Sequence, residues 1–303
     1  MFSRFTLYFD EVARSGSIRR ASERLNISPS AIDRHILMME EELGVRLFER
    51  LPQGLRLTAA GEVLISQVRR WRRELKYAQA QIDDLRGLRR GEVTIAFVEG
   101  ASDFLAETLV AFRRDYPGID HNVRMTGAQG VVDLVLKGHA EVGLTFNPPT
   151  VQTVRLEASL IYQIGAVISP THELAERSEV SFSECVELGL IVPNESISLR
   201  AVVDALWSRT IGGVSRGFIT ANSIALIKQL VEKGAGIGMM TPIDVAGEVA
   251  SGALVHVPLS DAIVPLSVFS LITAGGRTLS VPASLLVQVM AQTMRDKHSP
   301  GVS

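Results

Sequence analysis

The chain has 303 residues, 46% of them hydrophobic and 21% charged, with a net charge of −2. This excludes a fibrous or disordered chain and allows two or three domains. The single cysteine, Cys185, excludes an internal disulfide or a cysteine-based zinc cluster and reads as a small buried residue, while the longest apolar run, near residues 262–274, is broken by Pro265 and too short for the ~20 residues of a membrane span.

Residues 1–90 carry 17 Lys+Arg against 12 Asp+Glu, and the rest carries 14 against 21. A basic first third on an acidic body suggests a polyanion partner for the N-terminus alone. There Phe2, Phe5, Phe9 and Val12 recur at helical spacing, an amphipathic start with no targeting segment. Ser15-Gly16-Ser17 breaks this helix, and Ser17 caps a short second one with Ala21 and Leu25 inside. After the Asn26-Ile27 turn, Ser28-Pro29 opens a third helix, with proline at the first position where a missing N–H costs nothing, and Gly44 stops it. Helix, short helix, turn and helix with a polar start is a helix-turn-helix pattern. Two short apolar runs around Pro52-Gln53-Gly54 read as a hairpin, a wing, and Thr58 caps a long helix.

That helix places Leu64, Val68, Trp71, Leu75, Ala78, Ile82 and Leu85 at alternating spacings of four and three, a heptad seam. The seam packs either on its own chain or on a second copy. The charged flanks Arg69, Arg70, Arg72, Arg73 and Glu74 favour a second copy, hence a dimer. Gly87–Gly91 reads as a hinge. Beyond it strands alternate with helices: strand 93–97, helix 104–114, strand 121–125, helix 131–137 and strand 141–146, then Pro148-Pro149. The alternation resumes with strands near 165–168 and 190–192, helix 199–207, strand 217–220, helix 224–233 and strand 236–240. The strand near 266–272 and the helix near 282–294 return to the first unit. This predicts a two-lobed α/β body with mostly parallel sheets and a ligand cleft between the lobes.

The N-terminal segment resembles the LysR-type transcriptional regulators. The resemblance rests on Phe5, Phe9 and Val12-Ala13, then Ser15-Gly16-Ser17, Ala21-Ser22 and Leu25. It continues through Ser30-Ala31-Ile32, Arg34, Ile36, Glu40, Leu43-Gly44, Leu47-Phe48, Arg50, Leu57-Thr58 and Ala60-Gly61. In the body it rests on Gly138, Val142-Gly143-Leu144, Pro170, His172, Leu174-Ala175, Val231 and Gly234-Ala235-Gly236-Ile237. The resemblance implies an α/β protein with an N-terminal winged helix-turn-helix (1–58), a linker helix and hinge (59–90), and a two-lobed, periplasmic-binding-protein-like effector domain (91–303). Lobe I would comprise 91–160 and 267–303, and lobe II 161–266. It implies a cytoplasmic, non-enzymatic regulator of transcription without cofactor, metal or membrane partner. Its partners would be a double-stranded DNA operator with inverted half-sites, a small-molecule effector, RNA polymerase, and further copies of itself as homodimer and homotetramer.

By the same resemblance the third helix enters the major groove. Ser28, Ser30, Asp33, Arg34 and His35 would lie at bases or phosphates, with Arg50 and Arg56 of the wing on the backbone. Arg34 is either a guanine reader or a phosphate clamp; His35 is either a contact or a solvated residue. Pro29 stands where the family usually has Gln, and Asp33 where it has a small polar residue, so the operator is not transferable. The effector would lie at helix N-termini, whose free N–H groups suit an acceptor. The candidates are Gly100, Ala101, Ser102, Thr126, Gly127, Thr145, Phe146, Pro193, Asn194, Asn222 and Ser223; Ser102, Thr126 and Ser223 equally read as helix caps. Glu99 and Asp103 nearby weigh against a strongly anionic ligand.

Two other motifs are set aside. Gly213-Val214-Ser215-Arg216-Gly217 spells a nucleophile elbow, but a helix precedes it and a strand follows, the reverse of the required order. Gly234-Ala235-Gly236-Ile237-Gly238 closes a helix instead of opening one, unlike a dinucleotide loop. The six histidines show no metal-ligand spacing. Without an ordered acid, base and nucleophile, an enzyme is disfavoured, and a purely architectural DNA protein would leave the body idle.

Overall fold

A computed structural model describes residues 4–51, 54–85, 91–213 and 216–298, with side chains omitted at 73–74 and 76–85. Phe2, the Pro52-Gln53 turn, residues 87–90 of the expected hinge, Val214-Ser215, and the side chains of Ala78, Ile82 and Leu85 therefore lie outside the described residues. The chain forms two compact units, Met1–Ile82 and Asp83–Ser303.

The first unit contains α1 (Arg4–Ser15), α2 (Ile18–Leu25), α3 (Pro29–Leu43), the antiparallel pair β1 (Phe48–Leu51) and β2 (Gly54–Leu57), and the start of α4 (Ala59–Leu85). Ser17 caps α2 through the Arg20 N–H and Ser28 caps α3 through the Ala31 N–H, as their positions predict. Between them Asn26 takes the left-handed conformation (φ 54°) that a short polar side chain tolerates. The core joins Phe9, Val12, Ala21, Ile32 and Ile36 to Leu47 and Phe48 of the wing and to Ile65 and Val68 of α4. This corrects the expected dimer seam at one position. Val68 is 1% exposed and serves the chain's own fold, while Leu64 packs on the same core but is only partly buried. Asp10 of α1 also pairs with Arg69, at 3.0 Å, and with Arg72, so two of the charged flanks hold α4 to α1. The compact unit accordingly runs past residue 58, the expected domain end.

In the second unit, one sheet has the order β4 (Ile119–Met125), β3 (Gly91–Phe97), β5 (Val142–Phe146), β12 (Leu266–Ala274), β6 (Val154–Gln163). The helices α5 (Ser102–Asp115), α6 (Ala128–Leu136) and α11 (Val281–His298) contribute to its core. The other sheet has the order β11 (Val255–Pro258), β7 (Gly165–Ile168), β10 (Ile237–Met240), β8 (Leu190–Pro193), β9 (Ile219–Ala221). Its core takes side chains from α7 (Phe182–Glu187), α8 (Leu199–Thr210) and α9 (Ile224–Glu232), and α10 (Ala246–Ser251) precedes β11. The sheets are mixed and not mostly parallel: β3, β4 and β5 pair in parallel, as do β8, β9 and β10, while β6, β7, β11 and β12 pair antiparallel. The strands that return the chain to each sheet run against its crossover core. β6 pairs with β12 along its whole length, Val154 to Gln163, so the expected lobe boundary at 160/161 falls within a strand.

Candidate functional site

Two surfaces carry the functional expectations. On α3, Ser30, Ala31, Arg34, His35 and Met38 line one open groove. Arg34 is exposed and has no ion-pair partner among the described residues. His35 is engaged: its Nδ1 lies 2.7 Å from the Ala31 carbonyl, and its ring meets Phe5 and Tyr8 edge-on at 5.0 Å. It is half-buried, which sets aside the fully solvated reading, and it lines the groove beside Arg34. Ser28 is used as the cap of α3, and Ser30 donates to the Ser28 hydroxyl at 3.3 Å. Arg50 pairs with Asp33 at 3.2 Å and Arg56 with Glu49 at 2.8 Å, so both wing arginines already hold carboxylates. Behind this face Glu40 is buried; one oxygen accepts from the Leu47 and Phe48 N–H groups at 2.8 and 3.2 Å, and the other from Arg46 at 3.1 Å. Glu40 fixes the angle between α3 and the wing.

The second surface is a cavity of about 200 Å³ between the two sheets of the body. Of the expected residues it is lined by Gly100, Thr126, Gly127, Phe146 and Asn222. The other six lie elsewhere. Ala101 and Thr145 are fully buried in the first sheet's unit. Ser102 is exposed and donates to the Glu99 carbonyl at 2.5 Å. Pro193 is buried in β8, and Asn194 accepts from the Ser196 N–H at 2.6 Å. Ser223 caps α9 through the Leu226 N–H at 3.2 Å, so the cap reading holds there; Ser102 and Thr126 make no side-chain cap bond to α5 or α6.

The residues missed are acidic. Glu99, on the turn after β3, reaches across to α9 of the other sheet. It accepts from the Ser223 hydroxyl at 2.9 Å and from the Ile224 and Ala225 N–H groups at 2.8 and 3.0 Å. The chain thus supplies its own carboxylate to the positive end of that helix, linking the lobes. Asp244 is 3% exposed, on the short turn Pro242–Val245 after β10. Its Oδ2 accepts from the Thr241 N–H and hydroxyl. Its Oδ1 faces Gly100 so closely that a Cβ there would stand 2.0 Å from it; only glycine permits the approach. Burial pushes the Asp244 carboxyl up to about 6, against the Thr241 hydrogen bonds and the Lys228 charge, with Glu99 adding to the rise. The N-termini of α6 and α8 also face the cavity, and no side chain caps either. At Gly127 a Cβ would meet the Ser196 carbonyl at 2.9 Å, so the lobes touch here too.

Cys185 is buried in the second sheet's core, and burial pushes its thiol up to about 12, which fits an inert apolar role. Among the described residues no helix is long and apolar enough to cross a membrane.

Two family descriptions match the chain: "Bacterial regulatory helix-turn-helix protein, lysR family" over residues 4–62, and "LysR substrate binding domain" over residues 86–295. The chain is 25% identical over 233 residues to the RuBisCO operon transcriptional regulator of Allochromatium vinosum, covering 77% of each protein. It resembles full-length CbnR solved with its target DNA at a TM-score of 0.68 and 18% identity, covering 97% of this chain and all of that one. It also resembles the Synechocystis PCC6803 CcmR regulatory domain bound to 2-PG, at a TM-score of 0.60 and 19% identity over 68% of this chain and 99% of that one.

Proposed function

The chain belongs to the LysR family of transcriptional regulators, and on that premise we infer how its two surfaces divide the work. It is a DNA-binding regulator of transcription modulated by a small-molecule effector. In our reading α3 enters the major groove with its N-terminal half, Arg34 contacts a base, and Arg50 and Arg56 exchange their carboxylates for phosphates. The observation that carries this reading is Arg34, exposed near the start of α3 and without an ion-pair partner among the described residues. The effector occupies the cavity between the sheets, where Thr126, Asn222 and the first turns of α6 and α8, which no side chain caps among the described residues, offer polar groups. Binding acts by stabilising one arrangement of the lobes over another. Trp71 and Leu75, the described seam residues outside the first unit's core, contribute to self-association, which gives paired recognition helices and inverted half-sites. A dimer, further assembly to a tetramer, contact with RNA polymerase and a cytoplasmic location complete the proposal.

The test is binding of the full chain to DNA from its own upstream region, followed by fluorescence anisotropy at fixed salt. Arg34→Ala is expected to cost about 1–3 kcal/mol. A loss confined to one base pair of the site marks a base reader, and a loss uniform over sequences marks a phosphate clamp. Unchanged affinity removes Arg34 from the interface.

A further inference from the structure

The cavity that the effector reading assigns to the ligand also states what the ligand must offer. Of the two oxygens of Asp244, Oδ2 is used by Thr241, and Oδ1 has no hydrogen-bond partner among the described residues. A carboxylate oxygen on a side chain only 3% exposed and without a protein donor is costly. It sits on the wall of an open cavity and not in a sealed core, so a donor can reach it from the cavity alone. Among the described residues no lysine, arginine or histidine lines that cavity. Lys228, whose charge Asp244 feels, donates to the Asp244 main-chain carbonyl at 3.1 Å and pairs with Glu248 at 2.6 Å, so it is engaged away from Oδ1. Glu99 is occupied by α9. The protein thus provides a buried acceptor with a negative charge and leaves the matching cation to come from outside.

The opposite requirement is present at the other end. Where α9 has both a serine cap and Glu99, the α6 and α8 N-termini have neither, and their first turns line the same cavity. The Thr126 side chain lies over the first turn of α6, where a Cβ on Gly130 would meet its hydroxyl at 2.4 Å. Among the described residues no side chain accepts from these first-turn N–H groups, although the Arg200 N–H of α8 reaches the Ile197 carbonyl at 2.9 Å. The volume, about 200 Å³, holds roughly six waters at ~30 Å³ each, the room of a small metabolite.

We propose that the cavity binds a small zwitterion, an amino acid or short amino-carboxylic acid, with its ammonium on Asp244 Oδ1 and its carboxylate at the first turns of α6 and α8 beside Thr126. The proposal rests on the effector reading of the cavity and narrows it. A simple acid would leave Asp244 unpartnered and meet its charge. A simple amine would leave the two helix ends empty. Because the ammonium needs an ionised partner, binding strengthens as pH rises through about 6.

The experiment is thermal unfolding and calorimetry of the full chain with three matched sets of probes. These are glycine, alanine, β-alanine and γ-aminobutyrate; acetate, propionate and butyrate; and ethylamine, propylamine and butylamine. At least one zwitterion is expected to bind while its acid and amine counterparts do not. Asp244→Asn, which keeps the acceptor for Thr241, is expected to weaken that binding about ten- to hundredfold, the worth of one hydrogen bond to a charged group. Acids that bind as well as zwitterions, or unchanged zwitterion affinity in Asp244→Asn, overturn the ligand class and leave the cavity as the effector site. Binding that survives Thr126→Trp, which fills the cavity, overturns the cavity itself. Silence from every zwitterion also overturns the proposal.

Discussion

Glu40 and Asp244 are buried to nearly the same degree, 8% and 3% exposed, yet their surroundings are opposite. Glu40, in the winged unit, is met on both oxygens by three donors from the Arg46–Phe48 segment. Asp244, in the body, is met on one oxygen by its own turn, and the other faces a cavity. A buried carboxylate with all its donors makes a rigid joint. One with a vacancy makes a binding site. The winged unit needs a fixed angle between α3 and the wing to match a groove, whereas the body needs a state that a ligand can change.

The comparison is broken most forcefully by removing the satisfied partner. Glu40→Ala leaves the Leu47 and Phe48 N–H groups buried without acceptors, and is expected to cost about 3–5 kcal/mol, the range for breaking a buried charged network. Denaturant unfolding followed through the first unit's helices measures it, and a loss below about 1 kcal/mol, no more than one ordinary hydrogen bond, denies the joint.

At Asp244 the sign reverses. Its carboxyl releases its proton near 3.8 when unfolded and near 6 when folded. Between these values the folded state holds the extra proton, so stability falls as pH rises, and above about 6 the full penalty of about 3 kcal/mol is present. Asp244→Asn is therefore expected to stabilise the empty protein by up to that amount at neutral pH and by almost nothing below pH 4. A flat difference across pH contradicts the assignment.

Glu99 tests an intermediate case, a carboxylate satisfied by a helix end in the other lobe. Glu99→Gln keeps an acceptor but removes the charge that faces the α9 N-terminus. The expected loss is about 1–2 kcal/mol, read as faster hydrogen exchange at the Ile224 and Ala225 amides. Exchange unchanged there means the lobes are held by other contacts.

The same contrast explains what could be read along the chain. The winged unit is built from neighbours in sequence: Ser17 and Ser28 cap helices that start one residue later, and Phe9, Ile32 and Ile36 fall at helical spacing. Local chemistry specifies such structure, so it was legible. A heptad pattern, however, states only that a stripe must be covered, not by what, and Val68 is covered by its own chain. Thr241-Pro242-Ile243-Asp244 carries the capping-box spacing and could have drawn attention to Asp244. Its role still depends on Gly100, far away in sequence and brought close by the crossing of two lobes. In sequence Glu99 reads as a charge repelling an anion; in the structure it is itself the anion at α9. β6 has no counterpart among the strands expected from sequence, although it is the full-length partner of β12.

The smallest expected effect on stability belongs to Asp33, the exposed counterpart of the buried pair. Its 3.2 Å bond to Arg50 lies in water, with the arginine side chain 70% exposed and the aspartate 37% exposed. Pairs of this kind contribute about 0–1 kcal/mol, because solvent and salt screen them and two side chains must be ordered. Asp33→Ala should leave the unfolding midpoint almost unchanged. On DNA it should matter more under the proposed docking, since it removes a carboxylate from the α3 face assigned to phosphates and releases Arg50 from its internal partner. Each phosphate newly neutralised steepens the slope of log affinity against log salt by about 0.9. The expected result is tighter binding at low salt, on any sequence, with a slope steeper by about one such contact. An unchanged slope means that Arg50 exchanges no partner on binding, and the wing then positions α3 without touching the backbone through that residue.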